Sequence, residues 1–128
     1  MIIAIDFDGT IVMDRFPDIG EMIPGAKEII NSFFEDGHRI IIWTSRTGIE
    51  LARAIEWLAK SGIKYHLVNE SCPENTKKYG GRDTRKIYAD IYIDDKGLFH
   101  LPTDWYQIRE IINDRLNINV QITKKHTY

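Results

Sequence analysis

The stretch Asp6-Phe7-Asp8-Gly9-Thr10 follows directly on the apolar run Met1-Ile2-Ile3-Ala4-Ile5. The apolar run is short and rich in β-branched residues, which is typical of a strand that is buried on both faces. Two carboxylates one residue apart at the end of such a strand disfavour joint ionisation unless a cation lies between them. A site for a divalent metal ion and a phosphate group would offset that repulsion.

Helical and strand-like patterns alternate along the rest of the chain. Strands alternating with helices predict an α/β fold, in which a mainly parallel, Rossmann-like sheet is covered on both faces. Thr47 and Glu50 have the spacing of a capping box at the start of the second helix. The predicted strands cover residues 2–5, 39–43, 65–68 and 91–93, and the predicted helices cover about 24–36, 47–61 and 105–116.

The remaining segments are predicted to be connections within a single domain of residues 1–128. Residues 11–23 have no regular period and contain proline and glycine, which favours an irregular flap. Residues 69–85 are polar and have room for one short helix. Residues 117–128 begin with alternating apolar side chains, which favours an edge strand over an arm that contacts a partner subunit.

Composition narrows the classes of protein that the chain can represent. The chain has 128 residues, of which 43% are hydrophobic and 28% charged, as in an ordinary folded domain. A net charge of -2 does not indicate binding to nucleic acid. Cys72 is the only cysteine, so the chain forms no internal disulfide. Without an apolar leader or a long apolar stretch, a cytoplasmic location away from membranes is expected.

Polar side chains follow three of the four predicted strands at their carboxyl ends. In open parallel α/β sheets, ligands bind in the crevice at those ends. We therefore expect one site to collect residues that are far apart in the sequence. They are Asp6 and Asp8 after the first strand, Thr44 and Ser45 after the second, and Asp94 and Asp95 after the fourth.

This order of residues resembles the phosphatase branch of the haloacid dehalogenase (HAD) superfamily. Members have DxDx[TV] after the first strand, Thr or Ser after the second, Lys before the fourth, and paired acids after it. The matching segments are Asp6-Phe7-Asp8-Gly9-Thr10, Ile41-Ile42-Trp43-Thr44, Lys86 and Ile93-Asp94-Asp95. Members often carry a cap domain, inserted either after the first motif or after the third strand. Here those two connections, residues 11–23 and 69–85, are too short for a domain. The resemblance therefore implies a minimal, capless member with a three-layer HAD-like fold.

The resemblance implies a Mg²⁺-dependent phosphatase that hydrolyses a phosphomonoester through an aspartyl-phosphate. Asp6 would be the nucleophile, and Asp8 would protonate the leaving group and then deprotonate water. The Asp6 carboxylate, the Asp8 backbone carbonyl and Asp94 would hold the ion. Asp95 would be a direct or an indirect partner, and the choice between Asp94 and Asp95 stays open.

The remaining site residues would bind the phosphate group and offset its charge. Thr44 would bind the transferring oxygens. A lysine would supply positive charge, with Lys86 favoured because it is nearest the strand and Lys77 or Lys78 as alternatives. Weaker candidates for substrate contact are Thr10, Ser45 and Arg46.

Two other functions compete with the phosphatase. A receiver-like phosphoacceptor module also uses Asp residues, Mg²⁺, Thr or Ser and Lys on a parallel sheet, but its acceptor Asp follows the third strand, where this chain has Asn69. A catalytically weak HAD-fold protein with a binding or regulatory role is the other alternative. The phosphorylated substrate stays open, and capless members often act on large substrates or cover the site with a second subunit, so a homo-oligomer also stays open.

Overall fold

A computed structural model of the protein describes the backbone of residues 1–126 and the side chains of residues 1–117. The strands are β1 (Ile2–Ile5), β2 (Val12–Arg15), β3 (Asp18–Met22), β4 (Arg39–Ile42), β5 (Leu67–Val68) and β6 (Ile91–Ile93). The helices are α1 (Ala26–Glu35), α2 (Gly48–Ser61), α3 (Pro73–Lys78) and α4 (Trp105–His126). None of the helices within residues 1–126 combines the length and the apolar character that crossing a bilayer requires.

The main sheet has four parallel strands in the order β5-β4-β1-β6. Ile3 of β1 pairs with Ile40 on one side and with Ile91 on the other, so β1 lies at the centre. The predicted α/β fold with a parallel sheet flanked by helices is therefore confirmed. Because the strands are parallel, their carboxyl ends lie at one edge of the sheet.

Alternate side chains of the sheet enter two separate apolar layers. Ile3 and Ile5 lie in a large core with buried residues of α1, α2 and α4. Ala4 and Ile41 point to the opposite face. There they pack against Cys72, before α3, and against the irregular chain that leads into β6.

Residues 11–23 are more regular than the sequence indicates. They form an antiparallel hairpin of β2 and β3, with a shift in register between Val12 and Asp14. The prediction of an irregular flap is therefore wrong in its local structure. The register shift breaks the period of two by which a strand is identified in a sequence.

The end of α2 follows the sequence prediction more closely than its beginning. Gly62, with φ of 79°, follows the last turn, a left-handed conformation that glycine adopts without strain. Thr47 precedes the first turn, but its side chain makes no capping hydrogen bond. The capping box predicted for Thr47 and Glu50 is therefore incomplete.

The last helix is ten residues longer than predicted. α4 continues through His126, so the edge strand predicted for residues 117–128 is wrong, and residues 127 and 128 lie outside the described range. Residues 105–126 contain neither glycine nor proline, so the sequence provides no residue that would end the helix at Leu116. An alternation of apolar residues predicts a strand only where a neighbouring strand can pair with it.

Candidate functional site

The acids that follow β1 and β6 lie together at the carboxyl edge of the sheet. Ile5 pairs with Ile93, so Asp6 and Asp94 occupy equivalent positions just beyond the two strands. One carboxylate oxygen from each of Asp6, Asp94 and Asp95 lies within 4.8 Å of the other two. The structure thus assembles three acids from motifs almost ninety residues apart.

The Thr10 hydroxyl connects the first acidic motif to the second through two hydrogen bonds. Its hydroxyl donates a hydrogen bond to Asp6 Oδ2 at 3.1 Å and accepts one from the backbone N–H of Asp95 at 3.2 Å. Its carbonyl accepts a hydrogen bond from Trp105 Nε1 at 2.9 Å. Only 1% of Thr10 is exposed. We expected Thr10 to contact substrate, but it is buried among protein atoms and instead holds Asp6 and Asp95 in place.

Gly9 makes room for the second acidic motif. Its φ is +86°, and a Cβ atom at this position would collide with the Asp95 carboxylate. A side chain on residue 9 would therefore displace Asp95 as well as strain the backbone. The glycine of the first motif is thus needed for the close approach of the last acid.

Among the described residues, the three acids form one ion pair, in which the exposed Lys96 ammonium lies 3.8 Å from Asp95 Oδ2. Burial, the neighbouring Asp95 carboxyl and the charge of Asp94 raise the pKa of Asp6 to about 8, against a smaller opposing effect of the Thr10 hydroxyl. Asp95 Oδ1 is buried and has no hydrogen-bond partner among the described residues. A buried carboxylate oxygen without a donor is costly unless a cation contacts it. Clustered carboxylate oxygens are the ligands that Mg²⁺ prefers, so these residues fit that ion.

A pocket of about 340 Å³ opens beside the acidic cluster. It brings together six of the residues predicted for the site and adds two residues of the hairpin and one lysine. Its walls are Asp6, Asp8, Asp14, Phe16, Thr44, Ser45, Arg46, Asp95 and Lys96.

Thr44 is held at the pocket by its backbone. Its N–H donates to Asn69 Oδ1 and its carbonyl accepts from Asn69 Nδ2, both at 2.9 Å. The Thr44 hydroxyl accepts a hydrogen bond from the backbone N–H of Arg46 at 3.1 Å. Because that hydroxyl donates to none of the described residues, its own proton is available for an anion in the pocket.

Arg46 is bound to the protein through every N–H group of its guanidinium. Nε donates to Asp8 Oδ2 and one terminal nitrogen donates to Asp8 Oδ1, each at 2.7 Å. The other three N–H groups donate to the carbonyls of Pro17, Asp18 and Glu50. Since a guanidinium has five donors, Arg46 has none left for a substrate. The predicted substrate contact is therefore replaced by a buried link between Asp8, the hairpin and α2.

Two aromatic rings contact the Arg46 guanidinium. The guanidinium carbon lies 5.3 Å from the centre of the Phe7 ring and 5.1 Å from that of Phe16. Phe16, at the hairpin tip, is 58% exposed and forms part of the pocket wall. The hairpin tip therefore contacts the same arginine that binds Asp8.

The predicted lysine does not reach the pocket. Lys86 is exposed, and its ammonium lies 5.3 Å from the centre of the Tyr92 ring. Neither Lys86 nor its alternatives Lys77 and Lys78 line the pocket. Lys96 does so, with its ammonium 3.8 Å from Asp95 Oδ2, and the sequence interpretation overlooked it. Its position directly after the paired acids was the available signal.

Comparison with known proteins shows that the chain is similar to a solved structure. No family model matches it, and no curated protein does so either. A conserved protein from Bacteroides thetaiotaomicron, known from its structure, shares 42% sequence identity with the chain and superposes with a TM-score of 0.79. The match covers 90% of this chain and 91% of that one. The chain therefore belongs to the same family as this conserved Bacteroides protein.

Proposed function

We propose that the protein is a Mg²⁺-dependent phosphatase of the HAD type, which hydrolyses phosphomonoesters through an aspartyl-phosphate on Asp6. The observation that carries this proposal is the group of three carboxylates in which Asp95 Oδ1 is buried and receives no hydrogen bond from any described residue. The adjoining pocket supplies hydroxyl groups from Thr44 and Ser45, which suit an anionic ligand. The hairpin of residues 12–22 supports the proposal as a counterpart of the flap.

The carboxylates of Asp6, Asp94 and Asp95 would hold the metal ion, together with the Asp8 backbone carbonyl. When bound, Mg²⁺ would offset the charge of these carboxylates and of a phosphate beside them. Thr10 would keep Asp6 and Asp95 at a fixed separation through its two hydrogen bonds. Asp94 Oδ1 already accepts a hydrogen bond from the backbone N–H of Lys96 at 2.8 Å, which orients that side chain.

The proposed reaction has two steps on one aspartate. In the first, an Asp6 carboxylate oxygen attacks phosphorus, the bond from phosphorus to the ester oxygen breaks, and that oxygen takes a proton from Asp8. In the second, water attacks the phosphorus of aspartyl-phosphate and gives its proton to Asp8. The bond between Asp6 and phosphorus breaks, inorganic phosphate leaves, and both aspartates return to their starting state.

Three other side chains of the pocket would assist these steps. The Thr44 and Ser45 hydroxyls would donate hydrogen bonds to the phosphoryl oxygens. Lys96 would bring a positive charge to the same oxygens, the role that the sequence resemblance gave to Lys86. Its side chain is 80% exposed and is therefore free to turn toward a bound ligand.

The proposal is tested by measuring the release of inorganic phosphate from a panel of phosphate esters. We expect the wild-type protein to release phosphate with Mg²⁺ and to stop when EDTA is added. Asp6→Asn should release none, because an amide oxygen is a poor nucleophile toward phosphorus. Asp114→Asn is the matched control, since Asp114 is exposed on α4 and should leave the rate unchanged. Wild-type rates in Asp6→Asn would rule out Asp6 as the nucleophile.

A further inference from the structure

We propose that residues 77–86, which we call the basic segment, form a binding surface for single-stranded nucleic acid. The segment runs Lys-Lys-Tyr-Gly-Gly-Arg-Asp-Thr-Arg-Lys, with five cationic side chains and one acidic side chain. Five of the chain's 17 lysines and arginines thus lie in ten residues, whereas the whole chain has a net charge of -2. The low net charge that disfavoured nucleic acid in the sequence is an average that hides this local excess.

The cations of the basic segment are exposed and are not neutralised by the protein. All ten residues of the segment are exposed. None of its five cationic side chains forms an ion pair with a described residue. Its single acid, Asp83, accepts a hydrogen bond from the Ser71 hydroxyl at 3.0 Å. The segment therefore presents an uncompensated positive surface to an approaching anion.

Buried residues anchor both ends of this surface. Cys72, just before α3, and Ile87, just after the segment, are 1% and 3% exposed. Both pack in the apolar layer that contains Ala4 and Ile41 of the sheet. The residues between them are consequently held at the surface of the sheet's second face, and the hydrogen bond from Ser71 to Asp83 restrains the middle of the segment.

The uncharged residues of the segment favour nucleic acid over other polyanions. Tyr79 is 66% exposed and presents an aromatic ring on which a base can stack, a contact that an acidic peptide does not need. Gly80 and Gly81 have open space where side chains would project, so a phosphate can approach the backbone there. The segment has no aliphatic side chain to enter a lipid layer, which argues against a membrane surface.

Salt dependence provides the first test, by fluorescence anisotropy with a labelled single-stranded deoxythymidine strand of about ten nucleotides. If each of the five cations neutralises one phosphate, the logarithm of the association constant should fall with the logarithm of salt concentration with a slope of about -3.5. That slope is a loss of about a hundredfold in affinity between roughly 50 and 200 mM salt. Binding can be measured without turnover, so the result is independent of phosphatase activity.

Paired substitutions locate the binding surface. Arg82→Gln combined with Arg85→Gln should reduce the slope to about -2 and weaken binding about tenfold or more at low salt. The matched control removes two exposed cations elsewhere, with Lys27→Gln and Arg109→Gln, and should leave the slope unchanged. Binding that is absent at low salt, or is weakened equally by both pairs, would overturn the proposal.

Tyr79 separates nucleic acid from a general polyanion. Tyr79→Ala should weaken binding of the deoxythymidine strand about tenfold, because a stacked base is lost, while Tyr79→Phe should bind as the wild type does. Polyglutamate of similar length should bind more weakly to the wild type and show no difference between the two variants. Equal affinity for polyglutamate, or no loss in Tyr79→Ala, would contradict a surface specific for nucleic acid.

Discussion

Asp8 and Arg46 form a bidentate ion pair between a partly buried carboxylate and a buried guanidinium, in which both Asp8 oxygens lie 2.7 Å from guanidinium nitrogens. Arg46 is 2% exposed, and its remaining donors bind backbone carbonyls of the hairpin tip and of α2. In the proposed reaction, Asp8 begins each cycle with a proton. Each Asp8 oxygen uses one lone pair for Arg46 and keeps a second one, which can carry this proton while the contact with Arg46 is retained.

The first prediction concerns the leaving group of the substrate. Asp8→Asn should lower kcat/KM for an alkyl phosphate by about 10²- to 10⁴-fold, because an alkoxide leaves poorly without a proton. The loss should be much smaller for p-nitrophenyl phosphate in the first half-reaction, since nitrophenolate is stable as an anion. Burst kinetics of nitrophenolate release measure that step separately. Equal losses for both esters in this step would argue against Asp8 as the acid.

The second prediction concerns the stability that Arg46 provides. Arg46→Met should lower the free energy of unfolding by about 2–3 kcal/mol, because it removes the five hydrogen bonds of a buried guanidinium and leaves the partly buried Asp8 carboxylate without its partner. Arg39→Met is the control, since Arg39 pairs with Glu74 at a site where both side chains are about half exposed. That exposed pair should contribute less than about 1 kcal/mol. Urea unfolding measures both, and similar losses in the two variants would contradict the structural role of Arg46.

The third prediction concerns the hydroxyl of Thr10. Thr10→Val keeps the shape of the side chain but removes both hydrogen bonds to the acidic motifs, and should destabilise the protein by about 1–3 kcal/mol. Affinity for Mg²⁺ should fall by about 10- to 100-fold, as when groups that orient metal ligands are lost. Thr10→Ser should retain most of both properties. Calorimetric titration with Mg²⁺ provides the measurement, and an unchanged affinity in Thr10→Val would show that Thr10 does not orient the ligands.

The fourth prediction concerns pH. Without metal, the pKa of Asp6 is raised from 3.8 to about 8 on folding, so the folded protein holds a proton that the unfolded chain releases. This contribution to stability is fully present below a pH of about 4 and is lost as the pH rises through about 8. Asp6→Asn should remove this pH dependence from the unfolding curves of the metal-free protein. If the free energy of unfolding of the wild type varied with pH in the same way as that of Asp6→Asn, the raised pKa of Asp6 would be contradicted.

The affinity for Mg²⁺ should depend on pH in the opposite direction from the stability of the metal-free protein. The ion binds the ionised carboxylates, so at neutral pH its binding should release protons, and its affinity should rise until the pH reaches about 8. Calorimetry in buffers with different enthalpies of ionisation measures the number of protons released. An affinity that does not change with pH would show that the Asp6 carboxylate is not among the ligands.

The sequence correctly predicts that the two acidic motifs lie together, but it does not identify the lysine that lies beside them. Apolar runs that end in acids predict parallel strands with Asp6 and Asp94 at one edge. Lys86 precedes β6, and the amino-terminal end of a parallel strand lies at the opposite edge of the sheet from its carboxyl end. Lys96 follows the same strand and therefore lies on the side where the acids are. The direction of the strand is thus a better guide than nearness in the sequence.

The role of Arg46 was not visible in the sequence because its contacts are distant along the chain. Its partner Asp8 is 38 residues away, and the Pro17 and Asp18 carbonyls belong to a hairpin that lacks a clear strand pattern. An arginine after Thr44 and Ser45 has the same local pattern whether it binds substrate or protein. Only the tertiary arrangement accounts for all five of its donors.

The hydrogen bond from the Trp105 ring to the Thr10 carbonyl joins residues 95 positions apart. The acids at positions 94 and 95 are also needed beside the first motif. While the ribosome is still making the chain, Asp6 and Asp8 therefore emerge long before Arg46, Asp94 and Asp95. The nascent protein therefore has no assembled site until translation has passed the start of the last helix.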